Sequence, residues 1–270
     1  KIQLIMDKSP YNSTVSGKIL ITPDLLVLRV RTDEPRKEFK AGQYTSIGVL
    51  ASEQRSPNSV LTIDTIPENE LIIRAYSIAS ANHETQDFEF YISQVKSGQL
   101  TPRLFNLSLG SRMWLDKKIL GIFNLHDTPK ECNIVMIATG TGLAPYISFL
   151  RSHLRNHKEQ KMVVFHGAGY QWDLGYRSEL EFIKHSFDNF YYFPTLLKAD
   201  DTWSGLKGYI QSHLENNLLE SIGVEINPVK THFFLCGNPK MVESVCEILQ
   251  SKNYTINTKK NPGSLHIEQY

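Results

Sequence analysis

Cys132-Asn133-Ile134-Val135-Met136-Ile137-Ala138-Thr139-Gly140-Thr141-Gly142-Leu143-Ala144-Pro145 is the stretch on which the fold of this chain turns. A short apolar run leads directly into a turn with two glycines, and the turn opens a helix. Leu143, Ile147, Leu150 and Leu154 then recur at the spacing of one buried helical face. Pro145 suits the first helical turn, where its missing N–H is not needed. Glycines at such a junction let the backbone approach an anion, and the free N–H groups of a helix start attract one. The pattern is G-x-G-x-x-P, short of the full G-x-G-x-x-G fingerprint, so alone it is a weak signal.

Downstream the same grammar repeats. Strand-like Lys161 to His166, helical Tyr176 to Phe187, strand-like Phe190 to Pro194, helical Tyr209 to Leu219, strand-like Thr231 to Cys236 and helical Pro239 to Leu249 alternate in order. Such βαβ repetition predicts a parallel sheet wrapped by helices, an architecture that binds nucleotides. Upstream the chain reads differently. Candidate strands lie within Gly17 to Arg31 (broken by Pro23-Asp24) and at Gln43 to Val49, Leu71 to Ile78, Phe88 to Val95 and Met113 to Leu115, separated by turn residues. That spacing predicts an antiparallel sandwich or barrel. Ala51 to Asn69 reads as a long exposed loop. The division is placed near Asp127-Thr128-Pro129, giving domains 1–127 and 128–270.

The 270 residues are 41% hydrophobic, and 29 Lys+Arg against 28 Asp+Glu leave a formal charge of +1. Nucleic acid and anionic membranes are not expected partners of so balanced a chain. Three cysteines, Cys132, Cys236 and Cys246, form no disulfide framework and cannot hold a four-thiolate cluster. A reducing, cytoplasmic compartment is expected. No apolar run reaches the ~18–20 residues of a membrane span.

Three short strings carry polar chemistry. Arg74-Ala75-Tyr76-Ser77 ends a strand with a guanidinium, a ring and a hydroxyl, although a surface arginine beside a half-buried tyrosine is equally ordinary. Alternation predicts Arg74 and Tyr76 on one face and Ser77 on the other. Ser97-Gly98-Gln99-Leu100-Thr101-Pro102 predicts a helix with Thr101 as its N-cap and Pro102 as its first residue. His153 and His157, four apart on a helix, lack a third ligand, so no metal is expected.

With these motifs in order, the chain resembles the ferredoxin/flavodoxin–NADP⁺ reductases of the plant-type superfamily, in particular the bacterial branch. Arg74 to Ser77 resembles the R-x-Y-S flavin motif, Gly98 to Thr101 the flavin pyrophosphate loop, and Gly140 to Pro145 the dinucleotide loop. Cys236-Gly237-Asn238-Pro239-Lys240-Met241 resembles C-G-N-P-x-M, and Glu268-Gln269-Tyr270 the E-x-Y ending. The resemblance runs from about Val27 to the last residue.

It implies a six-stranded antiparallel barrel holding FAD, followed by a five-stranded parallel domain for NADP(H). By motif, Arg74, Ala75, Tyr76, Ser77, Tyr91, Ile92, Ser93, Gly98, Gln99, Leu100, Thr101, Thr141 and Tyr270 would contact FAD. Gly140, Thr141, Gly142, Lys198, Lys207, Tyr209, Cys236, Gly237, Asn238, Pro239 and Met241 would contact NADP(H). Ser77, Cys236, Glu268 and Tyr270 would form the catalytic set, with terminal Tyr270 stacked on the flavin and swinging aside for the nicotinamide. Lys207 to Gln211 resembles a K-x-Y-I-Q segment whose Lys and Tyr meet the 2′-phosphate. Lys198 stands where the family often has Arg, Leu197 where it has Ser, and Gly169 where bacterial relatives often place Arg.

The implied partner is a ferredoxin or flavodoxin, docked by cations such as Arg103, Lys117 and Lys118, and a monomer is expected. The alternatives are an NAD(P)H-dependent flavin or ferric reductase, an oxygenase reductase component, and a non-catalytic FAD-binding sensor.

Overall fold

The computed structural model describes residues 9–35, 38–60, 66–84 and 86–269. Its first half holds β1 (Ser13–Thr22), β2 (Leu25–Thr32), β3 (Tyr44–Leu50), β4 (Leu71–Ser77), β5 (Asp87–Ser93), the short helix α1 (Thr101–Asn106) and β6 (Arg112–Leu115). The strands form one antiparallel sheet in the order β4-β3-β6-β1-β2-β5. Its ends meet through the Ile78–Phe90 bridge and the Ala79 N–H, which donates to the Glu89 carbonyl at 2.8 Å. The sheet is therefore rolled into a barrel.

Alternation explains the run of apolar residues in β2. Leu26, Leu28 and Val30 point into the barrel beside Phe88, Phe90 and Ile92, whereas Leu25 and Val27 point outward into a second core. That second core belongs to the other half of the chain. Both faces of the first half of the strand are thus buried, and polar residues appear only from Arg29 onward.

The second half holds β7 (Asn133–Thr139), α2 (Ala144–His153), β8 (Met162–Ala168), α3 (Arg177–Ser186), β9 (Phe190–Leu196), β10 (Leu206–Lys207), α4 (Ile210–Glu215), α5 (Leu218–Ser221), β11 (Thr231–Gly237), α6 (Pro239–Ser251) and β12 (Leu265–Gln269). The order is β10-β9-β8-β7-β11-β12, with every pairing parallel. Ile134, Met136 and Ala138 of β7 meet Leu143, Ile147 and Leu150 on one face. Val135 and Ile137 meet Ile210, Val242 and Val245 on the other.

The sheet has six strands where five were expected. The additional one is β10, a two-residue edge pairing of Leu206 and Lys207 with Thr195 and Leu196, too short to leave a hydrophobic pattern. No helix among the described residues is long and apolar enough to cross a membrane.

Candidate functional site

Strand order reverses between β7 and β11, so a crevice opens at the carboxyl ends of the parallel strands. A cleft of ≈ 760 Å³ fills it. Gly140, Gly169, Tyr209, Asn238 and Met241 line the parallel-sheet side, and Asp24, Ser93 and Gln94 line the barrel side.

The glycines there have different reasons. A Cβ on Gly142 would lie 2.2 Å from the Cys236 carbonyl, so Gly142 lets the β7 turn close on β11. Gly140 has φ +55° and nothing within 4 Å of a built Cβ; its side chain would project into open space beside the cleft. Thr139 Oγ1 accepts from the Asn238 N–H at 2.8 Å, and Asn238 Oδ1 caps α6 by accepting from Lys240 N–H at 2.9 Å. Pro239 opens that helix. Lys240 and Ser244, one turn apart, also line the cleft. Their i, i+4 spacing was the signal that could have found them.

Beside this cleft the two halves exchange a hydrogen bond between residues 191 positions apart. Ser77 Oγ, at the end of β4, donates to Glu268 Oε2 at 3.0 Å. Glu268 pairs in register with Cys236 across β12 and β11, and Cys236 Sγ stands 3.9 Å from the same oxygen. Burial pushes the Glu268 carboxyl up to about 7, against the smaller opposing effect of its hydroxyl and thiol donors. The expected catalytic set is thus assembled as far as it is described. Tyr270 lies outside the described residues.

The end of β4 carries the first motif. Arg74 and Ala75 are exposed, and the Arg74 guanidinium donates only to the adjacent Ile73 carbonyl at 2.6 Å among the described residues. An arginine with no carboxylate beside it suits an anionic ligand. Tyr76 turns edge-on to Phe90 at 6.5 Å between ring centroids.

The loop before α1 is tightly organised. Thr101 does not cap the helix; it is the first helical residue, and its Oγ1 accepts from Val95 N–H at 2.9 Å, pinning the Gly98 turn. Arg103, expected as a docking cation, is 1% exposed and donates to the Ala51 and Gln99 carbonyls. Arg55, which sequence reasoning missed, donates to Gln99 Oε1 at 3.2 Å and ties the long loop to this turn. That loop is not simply exposed, since Ala51 and Ser56 are buried.

Tyr91 and Ile92 diverge. Ile92 lies inside the barrel, and Tyr91 packs edge-on to Tyr176 at 5.0 Å in the core between the halves. Only Ser93 of the three is exposed at the strand end, and it lines the cleft.

The cations expected at the far end of the cleft sit on neighbouring strand ends. Lys198 follows β9 and Lys207 ends β10, while Tyr209 is 64% exposed at the start of α4. Lys117 is exposed but paired with Glu34 at 2.6 Å. His153 and His157 place their rings 5.6 Å apart.

Residues 12–117 match the family model described as an oxidoreductase FAD-binding domain, and residues 136–247 match that of an oxidoreductase NAD-binding domain. The chain is 33% identical over 244 residues to the flavodoxin/ferredoxin–NADP reductase of Buchnera aphidicola subsp. Baizongia pistaciae, covering 89% of this chain and 91% of that one. It is 32% identical over 209 residues to the flavodoxin/ferredoxin–NADP reductase of Escherichia coli strain K12, covering 77% of each. In fold it is similar to a ferredoxin NADP⁺ reductase from Neisseria gonorrhoeae with bound FAD and NADP. The TM-score is 0.81 at 23% identity, over 97% of this chain and 99% of that one.

Proposed function

The chain belongs to the family of the flavodoxin/ferredoxin–NADP reductases, and from that premise we propose that it is a FAD-dependent reductase exchanging electrons between NADPH and a ferredoxin or flavodoxin. The observation that carries this reading is the half-buried Ser77–Glu268 bond with Cys236 beside it, at the seam of the barrel and the dinucleotide cleft. FAD, when bound, supplies the chemistry that converts a two-electron hydride into one-electron steps.

The protein groups bind, orient and hold protons. Arg74 and the backbone of Gly98, Gln99, Leu100 and Thr101 would hold the FAD pyrophosphate, and Ala75, Tyr76 and Ser77 would receive the flavin. Tyr91 and Ile92 offer the ribityl chain backbone atoms, because their side chains are committed to two cores. Gly140, Thr141, Gly142, Gly237, Asn238, Pro239 and Met241 shape the nicotinamide dinucleotide site, and Lys198, Lys207 and Tyr209 receive its 2′-phosphate end. Glu268, with its carboxyl poised near neutrality, holds or releases a proton at Oε2 facing the Ser77 hydroxyl. The domains divide at 127/128, and the protein works as a cytoplasmic monomer with both sites in one chain.

Carrier-coupled turnover tests this. NADPH with purified protein and a flavodoxin or ferredoxin is expected to reduce the carrier faster than it reduces free flavin or ferric chelates. Preferred reduction of the small acceptors would move the function to a flavin or ferric reductase. Bound flavin with no NADPH oxidation under any acceptor would leave a sensor.

A further inference from the structure

β8 and β9 end side by side at the rim of the cleft, and the residues after them form a compact unit of two rings and a cation. The Tyr170 and Trp172 rings stack with centroids 4.6 Å apart and planes 10° from parallel. Lys198 Nζ lies 4.9 Å from the centre of the Tyr170 ring and donates to its hydroxyl at 3.1 Å. The backbone of the unit is held too. Lys198 N–H donates to the Gly169 carbonyl at 2.9 Å, Leu197 N–H to the Ala168 carbonyl at 3.1 Å, and Tyr170 N–H to Asp173 Oδ2 at 3.2 Å.

Gly169, Asp173 and Leu197, which flank these residues, line the same cleft as Tyr209. Among the described residues no carboxylate lies within ion-pair distance of Lys198, and Trp172 stays 61% exposed. A stacked aromatic pair left in water, carrying an unneutralised ammonium at a cleft rim, is arranged for an anionic ligand.

We propose that Tyr170, braced by Trp172, is a positioning residue that holds the Lys198 ammonium ready for the 2′-phosphate of NADPH. The proposal rests on the function given above. A lysine is a point charge on a flexible four-carbon stem, and ordering it on binding offsets much of what its charge contributes. The Tyr170 hydroxyl and ring face fix that stem beforehand, so a phosphate meets a cation already in place. Gly169 offers no side chain at this rim, and the cation comes instead from Lys198 after the neighbouring strand β9. Asp173 accepts from the Tyr170 N–H through Oδ2 and, among the described residues, forms no ion pair with Lys198.

The test compares adenosine 2′,5′-bisphosphate with 5′-AMP binding to the FAD-loaded enzyme, in the wild type, Tyr170→Phe, Tyr170→Leu and Lys198→Ala. Tyr170→Phe keeps the ring and loses the hydroxyl. It is expected to lower the bisphosphate-to-AMP affinity ratio about fivefold, the worth of one ordinary hydrogen bond. Tyr170→Leu, which also removes the ring face, should fall further, toward the Lys198→Ala ratio. In turnover, the Tyr170 variants should raise the NADPH KM more than they change kcat. Lys198→Ala lowering the ratio while both Tyr170 variants keep it would make the aromatic pair a surface brace and overturn the proposal. An unchanged ratio in Lys198→Ala would overturn it as well. A wild type that binds both ligands equally would instead remove the NADPH preference itself, visible separately as equal flavin reduction by NADPH and NADH.

Discussion

Glu268 sits where a carboxylate is costly. It is half-buried between the β11–β12 edge and the barrel, and its donors, the Ser77 hydroxyl and the more distant Cys236 thiol, are weak compensation for lost hydration. Burial therefore lifts its carboxyl from 4.5 to about 7. The folded protein retains this proton where the unfolded chain has lost it, so the contribution to stability is full below about 4.5 and disappears as pH rises through 7. Glu268→Gln should accordingly raise the melting temperature at pH 8 relative to wild type and have little effect at pH 4.5. If the carboxyl also holds a proton during turnover, the pH–rate profile with NADPH loses its inflection near 7 in Glu268→Gln, with a roughly tenfold or greater fall in rate. An inflection that persists in the variant would place the titrating group elsewhere. Gly142 offers a second test on this scale. Ala at that position puts a methyl 2.2 Å from the Cys236 carbonyl, and at least about 2 kcal/mol of destabilisation is expected in urea unfolding.

The elements are joined by one ionic cluster. Glu89 of β5 is 4% exposed and accepts from Arg29 Nε at 2.8 Å, Arg151 Nη1 at 2.7 Å and the Tyr176 hydroxyl at 2.8 Å. Arg151 belongs to α2 and also binds Glu179 of α3, so the cluster bolts the barrel to the helical layer. The neighbouring cations hold the Glu89 carboxyl below its usual range despite burial. Glu89→Ala leaves two guanidinium groups short of an acceptor, and a loss of about 3 kcal/mol is expected by chemical denaturation. This cluster could not be read from sequence, because Arg29, Glu89 and Arg151 come from three separate elements and Tyr176 from the residue before α3. The same holds for Ser77 and Glu268, whose meeting depends on how two sheets dock. What local pattern did carry was the β-rich runs of β2 and β5 between turn residues, the glycine turn after β7 and the apolar stripe of α2. It failed where a side chain had a better partner than its neighbours in sequence, as with Thr101 on Val95 and Arg103 under Ala51.

The whole molecule carries opposing titrations. His166 is fully buried beside the Tyr192 hydroxyl at 3.1 Å, and His266 is stacked on Phe234 with a ring nitrogen 3.0 Å from His232. Burial pushes both imidazoles down to about 3, with His232 adding to the effect on His266. Between about pH 6.5 and 4.5 the unfolded chain binds these two protons while the folded protein does not. Over the same interval the folded protein alone keeps the Glu268 proton. The balance is one extra proton on the unfolded side, so these three groups remove about 1.4 kcal/mol of stability per pH unit on acidification. His166→Phe removes one proton of that difference, so the slope measured in denaturation from pH 6.5 to 4.5 should become shallower by about 1.4 kcal/mol per pH unit. A steeper slope in the variant would contradict the assignment.

The molecule as drawn joins a flavin barrel to a cleft that takes NADPH, and anaerobic stopped-flow absorbance of the FAD-loaded protein tests that union most directly. Mixing with NADPH is expected to bleach the flavin rapidly, and NADH should do so much more slowly. Yellow protein that neither nucleotide bleaches would contradict the account.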